Sequence, residues 1–215
     1  MSEELARIGR MGIQGIDWIL RRYYGVYPFT DREGCILRLA WGRSREERQL
    51  SDGTRIQPGD PLVHLHLWNE RLRDLPQDRG SLGWGRQLMR MMVSSLSMLA
   101  AHLNEIEGGP SVVALSGESG LLTDLRAAKV VAIPLGFDVV LKEPPGLRVW
   151  RRAFWDNFYS YLLLWAFGPA SMRGKRLASL NRVVIWMSRE RLFERYGRGP
   201  SEVVAAWRTE GGAVA

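Results

Sequence analysis

Apolar residues recur along this chain with two periods, and the switches between them outline its elements. Leu5, Ile8, Ile13, Ile16, Ile19 and Leu20 fall at helical spacing and predict an amphipathic helix over 3–24, in spite of Gly9, Gly12 and Gly15. Gly25, Pro28, Asp31 and Gly34 punctuate a loop, after which 35–41 reads as a strand ending in the charged turn 42–48. Turn signals at Ser51, Asp52 and Gly53 and again over 57–60 leave room for one short strand between them. Residues 61–68 then alternate strictly. Val63, Leu65 and Leu67 share one face, while His64, His66 and Trp68 share the other.

From Trp84 the period becomes 3.6. Leu88, Met92, Leu96, Leu99, Leu103 and Ile106 form one stripe and predict a long helix over 84–106, closed by Gly108, Gly109 and Pro110. The apolar run 111–115 reads as a buried strand, and Ser116 to Gly120 as a turn that caps a helix over 121–131. Pro134 and Gly136 stop that helix before a strand over 137–141, and Pro144 and Pro145 close the unit. Downstream, Trp150, Phe154, Phe158, Tyr161, Leu162 and Trp165 predict an aromatic helix between 147 and 167. Residues 182–187 are strand-like, Ser188 suits the cap of a helix over 189–196, and Gly197 its end; 201–208 adds a helical turn. The expected architecture is one α/β domain over 1–215. An N-terminal helix (3–24) and an aromatic-rich extension (147–208) with one further strand flank an α/β core (35–142).

Composition changes this picture in two ways. A single cysteine, Cys35, excludes an internal disulfide and a thiolate zinc cluster. The early acids and the lack of a long apolar run near the N-terminus lead us to expect a cytoplasmic protein, peripheral at most to the inner face of a membrane. The net charge of +7, carried by 27 arginines and only three lysines, points toward anionic partners. The arginines are spread along the chain, and no nucleic-acid module motif is found, so nucleic acid is not an expected partner.

The chemistry-bearing residues gather at the strand over 61–68. His64 and His66 stand two apart on one face, a spacing that suits a general base, two ligands of a metal, or hydrogen-bonded structural imidazoles. A third metal ligand would have to come from elsewhere, with His102 on the shoulder of the apolar stripe of its helix, and no metal is expected. Glu70 joins the two histidines as a candidate catalytic residue, and Trp68 and Asn69 as candidate substrate contacts. The Ser116–Gly120 segment lacks the Gly-x-Ser-x-Gly spacing of a nucleophile elbow. The aromatic segment suits either core packing or an interface, with Arg151, Arg152, Arg173 and Arg176 flanking it; at fewer than about 20 mainly apolar residues it does not span a bilayer.

The order strand, Gly-rich loop, helix, strand, helix, strand over 61–141 resembles the core of the GNAT acyltransferase superfamily. That resemblance implies a GNAT-like mixed central sheet flanked by helices. It also implies a pyrophosphate cradle for acyl-CoA, or another phosphorylated ligand, in the loop before the long helix, where backbone N–H groups and the helix N-terminus favour an anion. Gln77, Gly80, Gly83, Gly85 and Arg86 are the matching cofactor-binding candidates. Leu135, Gly136 and Phe137 match a further family element. Leu82 stands where the pattern has a small residue, and Ala132 where a proton-donating tyrosine is common.

A second resemblance is carried by the stretch from Leu50 to Leu72, by Leu135 to Phe137 with Pro144 and Pro145, and by Val184 to Leu192 with Tyr196 and Gly197. These blocks resemble the YkoP-like family, bacterial domains found alone or attached to polysaccharide deacetylases. The resemblance implies kinship and a cell-envelope or polysaccharide context. It supplies no catalytic residues. The expected function is acyl-CoA-dependent acyl transfer, or that of a degenerate relative which keeps the architecture without the usual chemistry; the alternative is a non-catalytic interaction domain that associates with envelope glycan enzymes or an anionic membrane surface through 147–182.

Overall fold

In a computed structural model, residues 15, 18–68, 70–71, 82–119, 125–141, 183–199 and 202 are described. The elements are β1 (Leu37–Arg43), β2 (Arg48–Gln49), β3 (Arg55–Ile56), β4 (Pro61–Leu67), α1 (Leu82–Glu105), a 3-10 turn (Gly109–Ser111), β5 (Ala114–Ser119), α2 (Leu125–Ala132), β6 (Asp138–Leu141), β7 (Val183–Ser188) and α3 (Arg189–Tyr196). Residues 18–23 are helical, within the predicted N-terminal helix. The aromatic segment 147–167 and most of 201–208 lie outside the described residues.

Five strands form one mixed sheet in the order β1-β4-β5-β7-β6, and β2 and β3 pair as a separate hairpin. The β4–β5 pair is parallel, joined by the crossover through α1, and the other three pairs of the large sheet are antiparallel. The predicted stripe of α1 buries Met92, Leu96, Leu99 and Leu103 against Leu37, Leu39, Val63, Leu115 and Met187. Each such leucine contributes about 1.5–3 kcal/mol by leaving water. On the opposite sheet face the described residues form a smaller apolar cluster. There Leu62, Ala114 and Trp186 pack under Leu50 and Ile56 of the small hairpin, which explains why Leu62 is apolar against the alternation of β4.

The region after α1 departs from the sequence reading. Residues 109–111 form a 3-10 turn, and the strand runs from Ala114 to Ser119, so Ser116–Ser119 is strand where a turn and cap were expected. Its central place decides this: β5 pairs with β4 on one side and with β7 on the other, and pairing overrides the turn propensity of Ser and Gly. Gly117 fits because a side chain there would press on Ile185 and Leu65, at 3.3 and 3.5 Å. The long helix begins at Leu82, two residues earlier than predicted, which puts Gly83 and Gly85 inside its first turn.

Two distant turns are fastened together beside the second core. Asp52 accepts from the backbone N–H of Thr54 at 3.0 Å and shapes the tight turn in which Gly53 has φ +90°. The same carboxylate accepts from the Ser188 hydroxyl at 2.5 Å, and Ser188 Oγ also accepts from the Arg191 backbone N–H, capping α3 as predicted. Arg191 reaches Asp138 at 3.2 Å and Asp52 at 3.5 Å. Ser51 donates from both its N–H and its hydroxyl to Asp138.

Candidate functional site

The β4–β5 ladder holds four residue pairs, from Leu62 and Ala114 to Leu65 and Gly117. Both strands continue past it, but with other partners. His66 and Leu67 pair with Arg38 and Leu37 of β1, while Glu118 and Ser119 pair with Val184 and Val183 of β7. The sheet therefore opens at its middle, and His66 and Glu118 are the first residues on the two banks of the opening. Both are exposed.

His64 lies one step inside, on the same face as His66. Its Nδ1 is hydrogen-bonded to the Ser116 hydroxyl at 2.7 Å, and its ring lies over Gly42 so closely that any side chain at position 42 would collide with it. Burial pushes the His64 pKa down, opposed by Glu118 and reinforced by Arg45. Solvent reaches the ring of His66, yet the protein around it weakens hydration of a charged imidazole. With His64 and Arg38 adding to that effect and Glu118 opposing it, the His66 pKa is held at about 4. Both imidazoles are neutral at pH 7, the form that accepts a proton.

The wall beside them is built on charge pairs. Arg38, only 7% exposed, grips Glu70 through contacts of 3.2–3.4 Å, and Arg21 from the helical stretch 18–23 reaches the same carboxylate at 3.0 Å. Burial works to raise the Glu70 pKa, but its own backbone N–H and the two arginines outweigh it and hold the carboxyl below its ordinary value. Trp68 has the Arg38 guanidinium at 4.3 Å and that of Arg71 at 3.7 Å from its ring centre. Arg71 in turn donates to the carbonyls of Asp31, Arg32 and Cys35, which ties the loop before β1 to the end of β4.

The structure thus gathers His64, His66, Trp68 and Glu70 at the end of β4, with Trp68 engaged by two guanidiniums and Glu70 committed to Arg38 and Arg21. Gly83, Gly85 and Arg86 occupy the start of α1, whose first turn carries no acid and whose Arg86 is exposed. Asn69, Gln77 and Gly80 lie outside the described residues. Among the described residues no three His, Cys, Asp or Glu side chains are arranged to hold a metal ion. Sequence reasoning missed Glu118, Ser116 and Arg38. An alternation running through Ala114, Ser116 and Glu118 was present in the sequence, but Gly117 in its middle disguised it as a turn.

The family model described as the YkoP domain matches residues 13–196. No curated protein and no solved structure matches the chain.

Proposed function

This chain belongs to the YkoP domain family, and from that premise we propose that it is a GNAT-like acyltransferase, taking an acyl-CoA or similar phosphorylated thioester into the opening between β4 and β5. The carrying observation is the parallel ladder that stops at Leu65 and Gly117 while both strands run on with other partners. Two features support the reading. The helix α1 follows β4 directly, and β7 is inserted between β5 and β6, an order that suits a GNAT-like core.

Exposed Arg86 and the acid-free first turn of α1, with the positive end of its dipole, suit a pyrophosphate; Gly83 and Gly85 permit close approach, and Gln77 and Gly80 precede them in sequence. The bound thioester would supply an activated carbonyl. The acceptor's amine or hydroxyl forms the new bond to that carbonyl carbon, the C–S bond breaks, and the acceptor's proton passes to neutral His66. His64, fixed by Ser116 and Gly42, braces the strand behind it. Ala132 is buried and offers no proton for the departing thiol, so solvent supplies it in this reading. Calorimetric titration with acetyl-CoA and longer acyl-CoAs tests the proposal. Saturable binding that weakens in Arg86→Gln supports it, and no binding at millimolar ligand overturns it.

A second reading rests on a different observation. Trp18, Ile19, Tyr23 and Tyr24 are 59–80% exposed along one short stretch, beside exposed Arg22. Aromatic side chains with an adjacent cation on a basic protein suit peripheral attachment to an anionic membrane surface, in keeping with an envelope context. Among the described residues no helix is long and apolar enough to cross a membrane. Flotation with anionic liposomes at low salt tests this reading, and a protein left wholly in the bottom fraction sinks it.

A further inference from the structure

At the far end of β4 from the opening, where the strand begins at Pro61, lies an open groove of about 430 Å³. One wall is β1, contributing Trp41 and Arg43; the other is the turn after α1, contributing Glu107, Gly108 and Ser111. Trp41 and Arg43 stand two apart on one strand and so project to the same side. Gly108, with φ +84°, turns the chain sharply behind Glu107 and sets that residue on the opposite wall.

Three properties make this more than a surface dent. Trp41 is 42% exposed, yet its indole N–H is already used, donating to the Tyr27 hydroxyl at 2.8 Å. That donor is thereby used within the chain, and the exposed ring offers a ligand its π system. Among the described residues Arg43 makes one side-chain hydrogen bond, from Nη1 to the Gly59 carbonyl at 2.7 Å, which leaves the rest of its fork without a partner there. Glu107 makes no ion pair or side-chain hydrogen bond among the described residues, and it does not close onto Arg43 although both line the groove. Opposite charges on facing walls normally collapse onto each other if the backbone lets them meet. Here the two line one groove without an ion pair, with Trp41 lining it beside Arg43.

We infer that this groove binds a small zwitterion, its ammonium group against Glu107 and the face of Trp41 and its anionic group on Arg43. An ammonium over an indole gains from the ring quadrupole, and the carbonyl end of α1, which closes at Glu105 beside the groove, adds negative potential on the same side. A guanidinium presents parallel donors to a carboxylate or phosphate. A purely cationic ligand meets Arg43 as a like charge, and a purely anionic one meets Glu107, so a molecule carrying both signs is favoured over either alone.

The test is a two-dimensional NMR titration of the full chain, following the Trp41 indole N–H, assigned by Trp41→Phe, and the Glu107 amide. Glycine betaine is the probe, with choline and acetate as single-charge controls. The expected result is a saturable shift at both positions with betaine, and binding of choline and of acetate weaker by about tenfold or more. Glu107→Gln and Arg43→Gln each weaken betaine by about tenfold while the rest of the spectrum is unchanged. No shift at either position with betaine at about 50 mM overturns the inference. So does binding indifferent to Glu107→Gln, or choline or acetate binding as tightly as betaine.

Discussion

Ser188 donates its hydroxyl to the carboxylate of Asp52 at 2.5 Å, across 136 positions of sequence, while its oxygen caps the helix that follows. One hydroxyl thus serves a helix N-terminus and a tight turn together. The turn and the cap are separately readable in sequence as Ser51-Asp52-Gly53 and as Ser188 before an α-helical run. Their meeting is not.

Replacing Ser188 with alanine removes both bonds and leaves Asp52 with less support. The expected loss is about 1–3 kcal/mol, measured as a lowered urea midpoint with an unchanged slope. Ser188→Thr keeps the hydroxyl and recovers part of the loss.

Two carboxyls and the histidines, His66 with the largest shift among them, contribute to the pH dependence of stability. Asp52 is pushed up by burial, but the Ser188 and Thr54 hydrogen bonds and the Arg191 charge prevail and hold it below its ordinary value of 3.8; Glu70 is likewise held below 4.5. A depressed carboxyl stabilises the fold above its unfolded pKa, and that stability is lost as pH falls through the folded value. His66 acts on a higher window. Its folded pKa is lowered from 6.5 to about 4, so the unfolded chain binds the proton more readily and stability declines as pH falls from 6.5 toward 4. Denaturant midpoints measured from pH 7 to 4 should fall in that window for the native chain and stay flatter for His66→Gln. Equal slopes for the two proteins would contradict the assignment.

Gly42→Ala places a methyl group where the His64 ring lies. The ring must leave, and with it the hydrogen bond to Ser116. We expect a cost of about 1–3 kcal/mol and a changed His64 imidazole resonance, whereas alanine at Gly85, with open space around it, leaves that resonance in place.

For acyl transfer, His66→Gln is expected to lower kcat by about 10²-fold or more with little change in acyl-CoA affinity, since it removes a proton acceptor and not a binding contact. Arg86→Gln gives the reverse pattern, weaker binding with a smaller change in kcat. A His66 variant with native turnover would remove the imidazole from the reaction.

Much of the architecture was legible because it rests on period. The stripe from Leu88 to Ile106 and the alternation from Val63 to Leu67 each bury one face, and pattern reports burial directly. Even the Ser188 cap could be read, because capping is local. The β5 strand was misplaced for the opposite reason. Ser116, Gly117 and Glu118 have weak strand propensity, and Gly117 breaks the alternation around it; the strand forms because β4 and β7 flank it, with Leu65 and Ile185 against Gly117. The same holds for the site. His64 and His66 declared themselves by spacing, while Glu118 faces them only through the parallel pairing of two segments about fifty residues apart, and Arg38 only through antiparallel register.

The place of β7 bears on how the protein is made. It lies between β5 and β6, yet it comes after both in the chain. During synthesis from the N-terminus, those two strands emerge before the one that joins them, and each then has an edge whose N–H and C=O groups await residues 183–188. A nascent chain stalled before Val183 holds two such edges at once. Ribosome-bound intermediates of that length are therefore where association between neighbouring nascent chains should be greatest.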